Sequence, residues 1–118
     1  MTEHKENYAE ALLDLVENLL ADSHPYVKNN LGPYAIGDGL LRYYPDKVLE
    51  RIDKWVKFES EHARWNVAKI FSAAEGAKHL EKAKKILHCL ENDESQLVKR
   101  AVTSVKNQLK KRVPELVM

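Results

Sequence analysis

The chain has 118 residues, of which 44% are hydrophobic and 31% are charged, and its formal net charge is +1. This length suits one domain, residues 1–118, and the high charged fraction excludes an integral membrane protein. No apolar run approaches the roughly 20 residues that a bilayer span needs, and residues 1–7 are polar, unlike a signal peptide. We therefore expect a cytoplasmic protein that does not bind membranes.

Apolar residues recur at helical spacing, and no stretch alternates with the period of a strand. The first helix is predicted over Thr2–Ala21. The second is predicted to start near Pro25, and Gly32-Pro33 is expected to kink it or divide it. Gly37-Asp38-Gly39 is predicted to end this helix, and Arg42-Tyr43-Tyr44 is predicted to be a link.

The second half of the chain carries clearer helix boundaries. A third helix is predicted from Pro45 through Val56, because proline suits the first helical position. Ser60 is predicted to cap a fourth helix that ends near Gly76. A fifth is predicted over His79–Leu90, and Asp93-Glu94-Ser95 is predicted to open a sixth that runs to about Arg112. These elements predict an all-α protein.

The predicted helices also repeat as pairs. The apolar positions of the third and fourth helices return about 36 residues earlier, and a looser copy follows about 35 residues later. Such self-similarity is typical of stacked helical pairs. We therefore predict a right-handed α–α superhelix of HEAT or armadillo type, with repeats at approximately residues 8–40, 44–76 and 79–112. Trp55 lies on the repeated apolar stripe and is predicted to be a core anchor.

Charge is distributed unevenly along the chain. Residues 1–22 are mainly acidic, whereas residues 94–112 are mainly basic. Lys99, Lys106 and Lys110 recur on one side of the last predicted helix, in a row that suits contacts with phosphates. Two alternatives remain: this helix is the solvated end of the superhelix, or the acidic and basic ends of two copies associate.

A second group of candidate residues lies on the fourth predicted helix. His62, Trp65 and Lys69 follow at i, i+3 and i+7, away from the apolar stripe. An aromatic ring beside a base suits stacking on a nucleobase or anchoring of a partner peptide. The alternative is that Trp65 packs between repeats, beside Lys28 or Lys99.

Catalytic motifs are weak in this sequence. The histidines show no metal-ligand spacing, and Gly37-Asp38-Gly39 lacks the glycines and the strand of a dinucleotide-binding loop. No serine or cysteine lies in a nucleophile motif, and Cys89 is interpreted as an inert thiol in the core or at its boundary. We expect no metal site, no cofactor and no enzymatic activity, and a partner that is either protein or DNA.

The end of the chain follows a longer pattern. An acid is followed by a valine, two basic residues, a small residue and another valine, and later by a basic pair and Pro-acid-x-Val. The residues that fill this pattern are Asp93, Val98, Lys99, Arg100, Ala101, Val102, Lys110, Lys111, Pro114, Glu115 and Val117. From Leu41 onward the sequence resembles the HEAT-like repeats of bacterial DNA alkylation repair glycosylases. The resemblance implies a HEAT-like fold that binds DNA across a basic concave face and cleaves the bond to an alkylated base.

The chain departs from that family at the catalytic positions. One branch carries its catalytic glutamate in an R-R-x-x-S-E pattern, which aligns with Arg64–Lys69 and places Lys69 at the acid position. Lysine has the wrong charge to stabilise the cationic sugar that develops in this reaction. A tryptophan of the other branch aligns with Ser104, and family members are longer. We therefore predict a non-enzymatic scaffold, or alternatively a DNA-binding protein. The predicted binding residues are His62, Arg64, Trp65, Lys69, Lys99, Arg100, Lys106 and Lys110.

Overall fold

The computed structural model describes residues 2–21 and 30–115, with side chains from Tyr8 onward. Over these ranges the chain is helical and has no strand, which confirms the all-α prediction. Helix α1 spans Thr2–Leu19, and a π-helix over Leu31–Leu40 continues directly into α2, Leu41–Tyr43. The remaining helices are α3 (Pro45–Trp55), α4 (Glu61–Ile70), α5 (Ala74–Ala77), α6 (Leu80–Leu90) and α7 (Gln96–Arg112).

Local capping chemistry sets the starts of three helices where the sequence predicts them. Pro45 occupies the first turn of α3, where its missing N–H leaves no bond unmade. The Ser60 hydroxyl accepts a hydrogen bond from the backbone N–H of Ala63 at 3.3 Å and caps α4. Ser95 caps α7 in the same way through the N–H of Val98. These boundaries are confirmed.

The segment around the glycines differs from the prediction. The predicted start near Pro25 lies outside the described residues, but neither Gly32-Pro33 nor Gly37-Asp38-Gly39 interrupts the π-helix. A Cβ on Gly32 would lie 2.5 Å from the carbonyl oxygen of Asn66, and one on Gly37 would lie 2.8 Å from that of Ile70. These two glycines therefore allow the π-helix to approach the backbone of α4. They do not form turns, and Arg42-Tyr43, predicted as part of a link, lies in α2.

The end of α4 is the second correction, because the helix ends at Ile70 and not near Gly76. The Ser72 hydroxyl donates to the carbonyl oxygen of Lys69 at 2.7 Å, which satisfies a group that the helix end leaves free. Ala73 is then extended, and the short helix α5 follows. Gly76 packs directly on the backbone of Ile70, so it has a packing role within α5.

Helix α4 is the central element of the core. It packs on the π-helix along one flank and on α7 along the other, while α3 contacts both α1 and α4. Trp55 is completely buried, as predicted, and its Nε1 donates to Glu17 at 2.7 Å. Within the described ranges, no helix is both long and apolar enough to cross a bilayer.

One buried polar side chain joins three parts of this core. Asn66 is completely buried on α4. Its Oδ1 accepts from the N–H of Gly32 at 3.0 Å, and its Nδ2 donates at 3.0 Å to the carbonyl oxygens of Leu20 and His62. The amide is therefore fully paired. It fixes the π-helix and the end of α1 against α4.

Candidate functional site

A groove of about 390 Å³ crosses the face on which the π-helix, α4 and α7 lie side by side. Each of the three helices supplies side chains to it because each presents one polar edge to this face. The groove is bordered by Tyr34, Asp38, Trp65, Lys69, Ser104 and Gln108, and Arg112 lies at its α7 end. We call this the Trp65 groove.

Trp65 and Lys69 are the predicted site residues that the structure brings together in this groove. The Lys69 ammonium lies 5.5 Å from the centroid of the Trp65 ring, a cation–π distance. It also donates to the Ser104 hydroxyl at 3.3 Å, across from α4 to α7. Burial lowers the pKa of Lys69. Trp65 is half-buried and packs against the edge of the core, so one part of its ring stays available on the groove side.

Asp38 is a groove residue that the sequence analysis missed. Its segment was assigned to a turn, whereas in the π-helix Tyr34 and Asp38 both face the groove. The Asp38 Oδ1 atom is buried and has no hydrogen-bond partner among the described residues. A buried polar atom without a partner is costly in a folded protein. Asp38 thus places an unsatisfied, buried carboxylate oxygen at the border of the groove.

Arg64 and His62 do not line the Trp65 groove. Arg64 donates to both carboxylate oxygens of Asp93, at 2.7 and 3.1 Å, and to the carbonyl oxygens of Phe58 and Glu59. Its guanidinium therefore joins the α3–α4 turn to the turn before α7. The His62 carbonyl oxygen accepts from Asn66, and its buried Nδ1 has no hydrogen-bond partner among the described residues.

The environment of Asp93 shows how strongly this link is held. Its side chain is only 10% exposed, and burial acts to raise the pKa of the carboxyl. The hydrogen bonds from the Arg64 guanidinium and the Ser95 N–H outweigh that effect, so the pKa of Asp93 lies below its ordinary value. The pair is a structural tie, and Arg64 has few donors left for a ligand.

The predicted basic row on α7 is divided by the structure. Lys106 turns towards α6 and forms an ion pair with Glu91 at 2.9 Å. Lys99 and Arg100 line the outer surface of the helix together with Lys111, which was not among the predicted residues. Lys110 is exposed. Ser104 and Gln108 border both this outer face and the Trp65 groove, so the two surfaces are continuous.

Most cations in the described part of the chain form ion pairs, whereas several cations of α7 do not. The acids of α1 are neutralised by α3, since Arg51 contacts Glu10 at 2.6 Å and Asp14 at 2.8 Å. By contrast, five cations of α7 form no ion pair with any described residue. They are Lys99, Arg100, Lys110, Lys111 and Arg112.

Two further features bear on chemistry. Among residues 8–21 and 30–115, no three His, Cys, Asp or Glu side chains are grouped as metal ligands would be. Cys89 is exposed, which differs from its predicted position in the core or at its boundary. The thiol lies on α6, away from the Trp65 groove, and takes no part in the site.

No protein-family model, curated protein or solved structure matches this chain. The resemblance to DNA alkylation repair glycosylases therefore stays a prediction from the sequence.

Proposed function

We propose that this chain is a helical-repeat module that binds nucleic acid across the Trp65 groove and the outer face of α7. The observation that supports this proposal is a difference in ion pairing between two groups of cations. Cations elsewhere in the described chain are mostly held by carboxylates, whereas those on the outer face of α7 are not. Unpaired Lys and Arg side chains on one continuous surface are what phosphate contacts require.

The proposed architecture is a right-handed superhelix of three helical pairs. Its support is the arrangement of the helices in two layers. The π-helix, α4 and α7 pack in sequence. On the other side, ion pairs link α1 to α3 through Glu10 and Arg51 and α3 to α6 through Asp53 and Lys82, at 2.6 Å in each case. Stacked layers of this kind place one edge of every second helix on a shared surface.

The groove supplies contacts that phosphate binding alone would not need. Tyr34 is 61% exposed, and the Trp65 ring borders the groove beside Lys69. Aromatic faces flanked by cations suit stacking of unpaired bases, which contributes about 1–3 kcal/mol per base. We therefore propose that strands with unpaired or extruded bases bind more tightly than a regular duplex.

Fluorescence anisotropy with labelled oligonucleotides tests this proposal. At low salt we expect binding of single-stranded DNA, weaker binding of duplex DNA, and loss of both when Lys99 and Lys111 are changed to glutamate. In the matched control, Lys57 and Lys85 are changed to glutamate. These two lysines are exposed and lie outside this face, so the control variant should bind as the wild type does. If the folded wild-type protein retains neither oligonucleotide at low salt, the proposal is wrong.

A second candidate function is supported by α1. Tyr8 and Leu15 on this helix are 61% and 56% exposed, and Leu12 and Leu19 continue the same stripe at helical spacing. An apolar stripe on an end helix favours a protein partner, as expected for a scaffold. Proximity labelling with the wild type and with a Tyr8→Ser, Leu15→Ser double variant tests this candidate. Identical labelling profiles from the two proteins would contradict it.

A further inference from the structure

Lys69 has surroundings that differ from those of the surface lysines. It lies within the Trp65 groove, its ammonium contacts an aromatic ring and a hydroxyl, and it forms no ion pair with a described residue. Among residues 8–21 and 30–115, the polar partner of the ammonium is the neutral hydroxyl of Ser104, and no carboxylate forms an ion pair that would hold the amine in its protonated form. An amine in such a site is available as a nucleophile.

We propose that Lys69 forms an imine with an aldehyde carried on a nucleic-acid strand, the open-chain deoxyribose of an abasic site, and that the chain thereby acts as an abasic-site lyase. This inference rests on the nucleic-acid binding proposed above and adds a reaction to it. The substrate follows from the chemistry of the groove. Cations that suit contacts with phosphates lie in the groove and on the adjoining outer face of α7, beside the Lys69 amine. An abasic sugar is an aldehyde that lies between two phosphates of the strand.

The reaction balances with the groups present and water. The neutral Lys69 amine attacks C1′ of the open-chain sugar, and the carbinolamine loses water to give a protonated imine. Removal of a proton from C2′ then drives cleavage of the C3′–O bond, and the 3′ phosphate leaves with that electron pair. Water hydrolyses the resulting unsaturated imine, which releases the aldehyde product and returns the amine. No oxidant, reductant or metal is consumed.

The remaining groove residues fit the steps of this reaction. Asp38 borders the same groove and is the residue assigned to proton removal at C2′. Arg112 lies at the α7 end, where it donates to the Ser72 carbonyl oxygen at 3.2 Å, and it is the residue assigned to a flanking phosphate. Burial also lowers the pKa of Lys69, which increases the neutral fraction of its amine at neutral pH.

Borohydride trapping tests the imine directly. A labelled oligonucleotide with one abasic site is incubated with the full chain and sodium borohydride, which reduces an imine to a stable amine, and the products are separated on a denaturing gel. We expect a covalent complex for the wild type and its loss in Lys69→Arg, which retains the charge and the stem. Lys57→Arg is the matched control, because Lys57 is exposed and borders neither the Trp65 groove nor the outer face of α7, and it should be trapped as the wild type is.

A second measurement separates the two proposed roles in the groove. Without borohydride, the wild type should cleave the strand at the abasic site. Asp38→Asn should still be trapped but should cleave more slowly by about a hundredfold or more, as expected for loss of a positioned base. If Asp38→Asn cleaves at the wild-type rate, its assigned role is wrong.

The outcomes distinguish this inference from the function on which it rests. Retention of an undamaged oligonucleotide without any wild-type cross-link refutes the lyase and leaves binding intact. Cross-linking of Lys69→Arg at the wild-type level also refutes it, because a surface amine is then responsible. Failure to retain or cross-link any oligonucleotide refutes both proposals. Circular dichroism of each variant confirms that the fold is intact.

Discussion

The dependence of binding on salt provides the sharpest test of the surface proposed here. The residues that lie on the outer face of α7 or at its groove end are Lys99, Arg100, Lys111 and Arg112. If each neutralises one phosphate of duplex DNA, the slope of log affinity against log salt is about −3.6. Raising the salt from about 50 to about 200 mM should then weaken binding roughly a hundredfold.

The number of contacts is limited by the size of the molecule and by its ion pairs. The longest dimension is 41 Å, little more than one turn of duplex DNA at about 34 Å. Arg64 and Lys106 are excluded from the count because Asp93 and Glu91 hold them. Single-stranded DNA, with about −0.7 per contact, should give a slope near about −2.8.

Removal of two cations should change the slope by a set amount. Lys99→Gln with Lys111→Gln leaves two contacts, so the duplex slope should fall to about −1.8. Lys57→Gln with Lys85→Gln makes the same change in net charge away from this face and should leave the slope unchanged. Anisotropy titrations at four salt concentrations give each slope. Equal slopes for the two double variants would show that net charge, and not this surface, governs binding.

Three further predictions concern the core, acid stability and catalysis. Trp55→Ala should lower the free energy of unfolding by about 3–5 kcal/mol. Trp65→Ala should lower it by clearly less, because Trp65 is only half-buried. Urea unfolding measures both losses, and equal losses would contradict the assignment of Trp55 as the core anchor. The pKa of Asp93 is lowered in the folded state, so its stabilisation is present above its ordinary pKa and is lost as pH falls through the folded value. Asp93→Asn should therefore lower the free energy of unfolding by roughly 3 kcal/mol at pH 7, because it breaks the pair with Arg64. The unfolding free energy of this variant should also fall less steeply from about pH 5 to about pH 2 than that of the wild type. Parallel curves for the two proteins would exclude the stabilising role of the Asp93 carboxylate. The predicted resemblance aligns Lys69 with the catalytic acid of the glycosylases, so DNA containing N3- or N7-methylpurines should release no base above background. Chromatography of the free bases measures this, and release proportional to protein would refute the prediction.

Features determined by neighbouring residues could be predicted from the sequence. The starts of α3, α4 and α7 depend on Pro45, Ser60 and Ser95, whose capping chemistry acts within a single turn. The burial of Trp55 follows from an apolar stripe whose spacing returns about 36 residues earlier in the sequence. The pairing of Trp65 with Lys69 follows from their i, i+4 spacing on one helix.

Features that depend on distant partners could not be predicted in this way. The residues around Arg64 and Lys106 do not distinguish these two cations from Lys99, because neighbouring residues do not show which cation will form an ion pair with a distant carboxylate. Their partners are 29 and 15 residues away in the chain. The difference between the paired Lys106 and the α7 cations that form no ion pair with a described residue thus became visible only when α6 and the turn before α7 were in place.

The π-helix shows why the groove itself was missed. Glycine and proline favour turns in an isolated segment, so Gly32, Gly37 and their neighbours predicted an interruption. The missing Cβ atoms instead allow close contact with α4. The Asn66 side chain accepts a hydrogen bond from the Gly32 N–H, so this group needs no partner within a turn. That contact keeps the segment helical and brings Asp38 to the same groove as Lys69. The groove therefore depends on the packing of small residues, and its carboxylate and amine border the same groove because two helices approach within backbone contact.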